Sequence, residues 1–421
     1  MGRRPSTLNV PACPRPGHAD TRVTLGGVYG KPPRQMFKCV LPDGSSHRFA
    51  GPLPRLLAES GVCAHCDNGV ERHQGPVVTP EYQFHLRLAA QALIDVGGGA
   101  TYTEAAAKAR VMAGKGPYQG LETNGELVAQ WVDVFAPVLI AACAETSWPE
   151  TVLLDSTNFI ITNAFNGQSA QAFAIIGFYG YDAGQPRGRV LGFYAAHEHL
   201  AQDYADAIDH IESLPGPSVG PWQPPTLVVS DGESALLRGL STHWGAGTSQ
   251  SHGVGGRPFG KRCEWHLRKN ANKALALDGA PGDHPVRERL NRAFQSPGDW
   301  AAFKAEVAAA GMVKARGFVR RMDRQVTAQT DRRAGLPPRH SIAALEASLN
   351  KVRGRIEKRA FTFRNQRRMN LLLGLMRHHE LRVDQHDAYT ELLREAAIAA
   401  GGRITAQRTG YCTGRAYDLR P

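Results

Sequence analysis

Two short runs of branched apolar residues, each stopping at an aspartate, set the strongest limit on how this chain can fold. Val152-Leu153-Leu154 leads into Asp155, and Leu227-Val228-Val229-Ser230 leads into Asp231. Runs this short and this apolar read as strands buried on both faces, which belong to sheets covered by helices. An acid at the C-terminal end of such a strand stands where α/β sheets bind ligands, so the two aspartates can share divalent metal ions. Each acid also has an ordinary reading. An Asp after a strand often caps a turn, and Asp231-Gly232 is itself a turn dipeptide.

The surrounding sequence extends this α/β pattern. Thr151 to Asp155, Phe173 to Tyr181 and Arg189 to Ala196 read as consecutive strands of one sheet, with turn residues between them. A helical segment from Gln202 to Leu214 precedes the strand Thr226 to Asp231. Gly245 to Gly260 is rich in Gly and Ser and reads as a mobile loop. From His266 onward nearly everything reads as basic helix, and the last twenty residues read as an irregular tail.

Two carboxylates that hold two metals need a third on a nearby element. Glu346 is the choice among the helical residues. It lies in a helix capped by Ser341, and it borders the apolar face Leu345, Leu349, Val352 and Ile356, beside Asn350 and Arg353. Taken without context, a helical Glu is more often a solvated surface residue.

The N-terminal region has a different character. Residues 1 to about 80 are rich in Pro, Gly, Cys and His, and four of the seven cysteines, Cys13, Cys39, Cys63 and Cys66, fall there. A segment with so little core needs a staple, and a metal is the expected one. Cys63-Ala64-His65-Cys66 has the spacing of a zinc knuckle, while Cys13 with His18 and Cys39 with His47 offer two more pairs. The pairing stays open: Cys13, His18, Cys39 and His47 can close one site while Cys63 and Cys66 recruit His73 or another group for a second. Buried free thiols and surface histidines are the plain alternative.

Between this segment and the strands, three short helices are expected. Leu86, Ala89, Ala90 and Leu93 recur at helical spacing before Gly97-Gly98-Gly99. Thr101 with Glu104, and Thr123 with Glu126, each have the spacing of a capping box. Three helices in this order fit a helix-turn-helix unit, with Lys108, Arg110 and the helix after Thr123 as candidates for DNA contact. Trp131 falls on the apolar face with Val128 and Phe135 and reads as core.

The net charge of +12, carried mostly by Arg, favours a polyanionic partner, with nucleic acid ahead of membrane or acidic protein. The longest apolar run, Val134 to Ala144, carries Pro137 and is shorter than the ~18 residues that span a bilayer. No signal-peptide core is visible, so a cytoplasmic, nucleoid-associated protein without membrane contact is expected.

Four features together resemble the Mutator-like transposases of insertion sequences. Leu227 to Gly232 resembles that family's second-Asp motif. Arg262-Cys263-Glu264-Trp265-His266, followed by Arg268 and Asn270, resembles its C-x-x-H signature. Ser341 to Arg355, with Phe363-Arg364-Asn365 downstream, is similar to the helix carrying its catalytic Glu, and Asp155 matches its first Asp. The resemblance implies an α/β, RNase H-like mixed sheet with a helical insertion, preceded by a zinc ribbon and a helix-turn-helix. The domains expected are 1–80 for the zinc-binding part, 81–148 for the helix-turn-helix, 149–380 for the catalytic part with its insertion at about 267–340, and 381–421 for a C-terminal helix and tail. It also implies Asp155, Asp231 and Glu346 as ligands of two Mg²⁺ (or Mn²⁺) ions, hydrolysis at the element ends, and strand transfer into target DNA. Cys263 and His266 are carried as a structural or strand-positioning motif. Asn350, Arg353, Arg355, Arg364 and the neighbouring Arg-rich segment are expected to hold phosphates of double-stranded DNA, including the element's terminal inverted repeats, in a homo-oligomer. Two departures are visible: His18 and His47 stand where Cys is usual, and the Gly-rich loop before Cys263 is long. The competing functions are a catalytically inactive or domesticated DNA-binding regulator, and a structure-selective nuclease that never joins strands.

Overall fold

In the computed structural model, which describes residues 13, 17–18, 21–29, 34–50, 77–78, 84–113, 125–162, 169–215, 220–246, 257–357, 365–399, 404–408 and 415–419, the chain divides into two compact units. One comprises Ala144–Leu373, and the other Met1–Cys143 with Gly374–Pro421.

The Ala144–Leu373 unit is built on a mixed five-stranded sheet. In the other unit, β1 (Arg22–Tyr29), β2 (Arg34–Val40) and β3 (Ser46–Ala50) form an antiparallel sheet, and β4 (Val77–Val78) pairs with β5 (Phe84–His85). The five strands are β6 (Thr151–Thr162), β7 (Ser169–Tyr181), β8 (Arg189–Ala196), β9 (Leu227–Ser230) and β10 (Phe259–Arg262), in the order β10-β9-β6-β7-β8. The β6, β7 and β8 strands run antiparallel, whereas β9 is parallel to β6 and β10 is parallel to β9.

Side chains alternate across the pleat, so each strand divides between two faces. Val152 and Leu154 of β6 and Ala174, Ile176 and Phe178 of β7 share one buried cluster with two helices. Numbering the helices from α1 (Leu86–Gly97), α2 (Tyr102–Ala113) and α3 (Gly125–Ala142) of the other unit, these are α4 (Ala201–Ser213) and α5 (Ser234–Trp244). Tyr204, Ile208 and Ile211 come from the first, and Leu236, Leu240 and Trp244 from the second.

Four helices follow β10: α6 (Glu264–Leu277), α7 (Pro285–Arg292), α8 (Pro297–Ala309) and α9 (Val313–Asp331). They have their own core, in which Leu267, Leu290, Phe294, Trp300, Phe303 and Phe318 meet. The first of these helices begins at Glu264. Next, α10 (Ala343–Glu357) begins where Ser341 Oγ accepts the Ala343 N–H at 3.1 Å. Its buried face is Leu345, Leu349, Val352 and Ile356, as its periodicity predicts.

One expectation is corrected here. The stretch Gly245 to Gly260 does not run as loop to its end, because Phe259 and Gly260 open β10 and are buried. The strand is hard to see in sequence because two of its four residues are Lys261 and Arg262. Lys261 is only 2% exposed, and Nζ lies 3.0 Å from Glu264 Oε1, which compensates the buried charge.

In the other unit, α1 packs against α2, α3 and α12 (His386–Ala399), with α11 (Gln366–Leu381) leading into this unit. The Thr101 and Glu104 capping box forms: Glu104 Oε2 accepts the Thr101 N–H at 2.7 Å, and Thr101 Oγ1 accepts the Glu104 N–H at 3.2 Å. Thr123 lies outside the described residues, and α3 starts at Gly125. Val128, Trp131 and Phe135 are core. Ile404–Arg408 (β11) and Arg415–Leu419 (β12) pair as antiparallel strands where an irregular tail is expected. Among the described residues no helix is long and apolar enough to cross a membrane.

Candidate active site and metal centre

The parallel register of β6 and β9 sets Leu154 beside Ser230, so Asp155 and Asp231 are neighbours. Asp231 follows the end of β9, but β6 runs on to Thr162 in its pairing with β7, so Asp155 stands within its strand and not at the C-terminal end that the sequence suggests. Asp231 is oriented by its own turn, in which Oδ1 accepts the Glu233 N–H at 2.9 Å. Gly232 holds φ +82°, and a Cβ there would come 2.4 Å from Arg262 Nε. The glycine thus permits both the left-handed turn and the approach of the Arg262 guanidinium toward Asp231.

Glu346 reaches the same place from the other side. Asp155 pairs with Gly177 across β6 and β7, and a Cβ on Gly177 would come 2.9 Å from Leu345 and 2.9 Å from Leu349. The missing side chain lets α10 settle onto the sheet next to Asp155. Burial pushes the Asp155 carboxyl up to about 7, and the negative charges of Asp231 and Glu346 push the same way. The Ser156 N–H and His266 oppose the rise. Asp231 and Glu346 thus both lie near enough to Asp155 to disfavour its charge, and a bound cation would offset that.

Cys263 and His266 join this cluster. The Cys263 N–H donates to the Ser230 carbonyl at 2.7 Å, which docks the start of α6 beside the end of β9. Burial pushes the Cys263 thiol up, but the nearby His266 ring and backbone N–H groups outweigh this and leave it below the usual range. The same thiol contact raises His266 against the effect of burial, with Glu346 and Asp155 adding to it. His266 Nε2 lies 3.4 Å from Glu346 Oε1. A second polar joint lies behind: Glu264 receives Lys261 and Arg333, and its N–H donates to the His340 carbonyl at 2.8 Å. Burial, with Lys261 next, pushes His340 down to about 4, so it is neutral near pH 7.

Sequence reasoning missed Gly177 and a polar network next to the aspartates, and gave Arg262 no role beyond its place in the C-x-x-H motif. Tyr204 donates to Glu233 Oε2 at 2.8 Å, and Ser156 Oγ lies 3.0 Å from Tyr204 and 3.1 Å from His199 Nδ1. Burial, above all, keeps the Tyr204 phenol protonated. The positions of Ser156 and Glu233, one and two residues past the aspartates, were the only signal available.

The proposed DNA contacts are more scattered. Lys108 Nζ, itself exposed, lies 2.9 Å from Oδ1 of the mostly buried Asp95, and Arg353 Nε lies 2.9 Å from Glu357 Oε1 at an exposed position where such a pair exchanges at little cost. Asn350 is exposed on α10, and Arg355 lies in its last turn. Arg364 and the Arg110 side chain fall outside what is described.

In the N-terminal sheet, the pairing of β2 with β3 places Cys39 opposite His47. Cys13, His18, Cys39 and His47 converge so that one ligand atom from each lies within 4.8 Å of all the others. Cys13 Sγ is 3.2 Å from His47 Nε2 and 3.8 Å from His18 Nδ1, and Cys39 Sγ is 3.7 Å from His18 Nδ1. Metal–sulfur and metal–nitrogen bonds of ~2.3 and ~2.0 Å around a tetrahedral ion require edges of this size. Two thiols and two imidazoles therefore fit a metal. Cys63, Cys66 and His73 lie outside the described residues. Asp209, Glu212 and His243 also cluster, but His243 presents Nδ1 to Asp209 at 3.2 Å and Nε2 to Glu212 at 3.3 Å. With both ring nitrogens facing carboxylates, this group is an ionic clasp joining α4 and α5.

No protein-family model matches the chain, and no curated protein matches it. Among solved structures it is similar to a Drosophila P element transposase strand transfer complex, at a TM-score of 0.23 and 11% identity, over 74% of this chain and 81% of that chain.

Proposed function

We propose that this chain is a DNA transposase of the Mutator-like, three-carboxylate kind, whose Ala144–Leu373 unit is an RNase H-like catalytic domain. The observation that carries the reading is the placement of Asp155, Asp231 and Glu346 near one another from β6, the end of β9 and α10, by the β6/β9 register and by the seating of Leu345 and Leu349 against Gly177, opposite Asp155. Half-buried like charges brought near one another from three elements are costly to folding and point to a cation partner. The interrupting helices α6–α9, between the second and third acids, agree with the insertion that the family resemblance implies.

Asp155, Asp231 and Glu346 would hold divalent magnesium or manganese, which supplies charge stabilisation to the attacking and leaving oxygens of an in-line phosphoryl displacement. The chain's own part is positioning. The β6/β9 register and the Asp231 turn fix two carboxylates, while Gly177 and His266 set the third. Water would attack first at the element end, and the freed 3′-hydroxyl would then attack target DNA. Cys13, His18, Cys39 and His47 are assigned a structural zinc, and the helices of the N-terminal unit are assigned binding of the element ends.

The test is Mg²⁺- or Mn²⁺-dependent cleavage and joining of DNA that carries the flanking element ends. Wild type is compared with Asp155→Ala, Asp231→Ala and Glu346→Ala. Loss of both steps in all three variants, with end binding retained, is the expected result. A wild type that binds and never cuts is a regulator instead, and one that cuts without joining is a nuclease.

A further inference from the structure

Trp265 is a large aromatic residue left half exposed, at 49%, immediately beside the acid cluster. Its ring stands edge-on to that of His266 at a centroid distance of 4.7 Å, and His266 in turn contacts Glu346. Lys269 Nζ lies 4.9 Å from the Trp265 ring centroid, a cation–π contact that keeps charge and ring together. Lys273 is exposed one turn further along. Residues 265, 269 and 273 recur every four positions, so they form one stripe along the outer face of α6, with ~6 Å of rise between successive members. The opposite face, with Leu267, Ala271, Ala274 and Leu275, is buried in the core of the helical insertion. The stripe is therefore not needed for packing, and neither lysine has an ion pair to a carboxylate among the described residues.

An exposed aromatic ring followed along one helix face by cations without carboxylate partners suits unpaired nucleic acid, because the ring stacks on any base and the cations follow the phosphates. Duplex DNA offers no free base face to such a ring. The geometry points to a site on α6, formed by Trp265, Lys269 and Lys273, that takes a short unpaired segment of DNA next to the bond being cut. Trp265 stacks on a base that has left the helix, and the two lysines hold the phosphates leading away from the acids. This rests on the proposed transposase reading for the presence of DNA at the acids. It adds that the substrate is opened there, which the three carboxylates do not require.

The experiment measures binding by the full chain of three fluorescently labelled DNAs in Ca²⁺, which suppresses cutting: a single strand, a fully paired duplex, and the same duplex with a mismatched, frayed end. Wild type is expected to favour the frayed end over the paired one. Trp265→Ala should lower affinity for the single strand and the frayed end by about tenfold and leave the paired duplex unchanged. Trp265→Phe should recover most of the loss. Removing Lys269 and Lys273 should reduce the salt slope for the single strand by roughly 0.7 for each. If wild type binds DNA but Trp265→Ala alters all three affinities equally, or none, the stripe is not a site for unpaired DNA while the transposase reading stands. If wild type binds none of the three, both readings fall.

Discussion

Gly177 stands directly opposite Asp155 across β6 and β7, and it is the absence of a side chain at Gly177 that lets Leu345 and Leu349 bring the Glu346 helix down onto the sheet. The distance between the first and third carboxylates is thus controlled by a residue that has no chemistry of its own.

Gly177→Val should therefore act through α10. Overpacking against Leu345 and Leu349 is expected to cost ~1–3 kcal/mol, read by denaturant unfolding, and to depress cleavage more than DNA binding. Adding Leu349→Ala makes room for the new side chain. If the double variant recovers no cleavage relative to Gly177→Val, Gly177 does not act by this route.

Asp155 gives a pH dependence with a definite sign. Its carboxyl ionises near 3.8 when unfolded and at about 7 when folded without metal. Below the lower value both states are protonated and the residue costs nothing. As pH rises through the interval, only the unfolded state ionises, so stability is lost progressively until the folded carboxyl ionises too. The shift corresponds to roughly 4 kcal/mol at most. Asp155→Asn should then be more stable than metal-free wild type at pH 8, with the gap closing toward pH 4. Equal melting temperatures at pH 8 would contradict this.

Divalent metal should narrow that gap. Mg²⁺ or Mn²⁺ at about a hundred times its dissociation constant is expected to add ~2.7 kcal/mol to wild type. Asp155→Ala and Asp231→Ala should gain little by comparison. A thermal-shift titration in both ions reads this directly, and an equal rise in all three proteins would show that the metal binds elsewhere.

Zinc should be tied to the N-terminal sheet. The purified chain is expected to carry zinc that Cys39→Ser loses, and Co²⁺ in its place should give the absorption of a tetrahedral site with two thiolates and two imidazoles. Chelation should expose the amides of β1–β3 to exchange and spare those of β6–β8. Chelation that leaves the β1–β3 amides protected would argue against a structural metal there.

Glu264→Gln removes the carboxylate that answers the buried ammonium of Lys261, and should destabilise the protein by ~3–5 kcal/mol. Lys261→Met combined with Glu264→Leu should cost less than Glu264→Gln alone, since the fully buried ammonium is then gone and only the more exposed Arg333 loses its carboxylate. A double variant that costs as much as the two single changes added together would show that the pair is not coupled.

Much of this protein is determined by patterns that lie within one element. The apolar runs ending at Asp155 and Asp231, the strand Arg189–Ala196, the Thr101 capping box and the buried stripe of α10 all depend on side-chain periodicity and on hydrogen bonds between near neighbours. Sequence alone carries these. The tertiary structure decided what depends on partners far along the chain. Asp155 and Asp231 adjoin because β9 inserts beside β6 in one register, and nothing local chooses that neighbour. Of the candidate metal ligands, Cys13, His18, Cys39 and His47 form one set because β2 and β3 pair Cys39 with His47. The β10 strand was hidden because Lys261 looks like a surface residue until Glu264, Arg333 and His340 gather around it. A buried charge is tolerable only with its partner in place, and that partner is supplied by the fold.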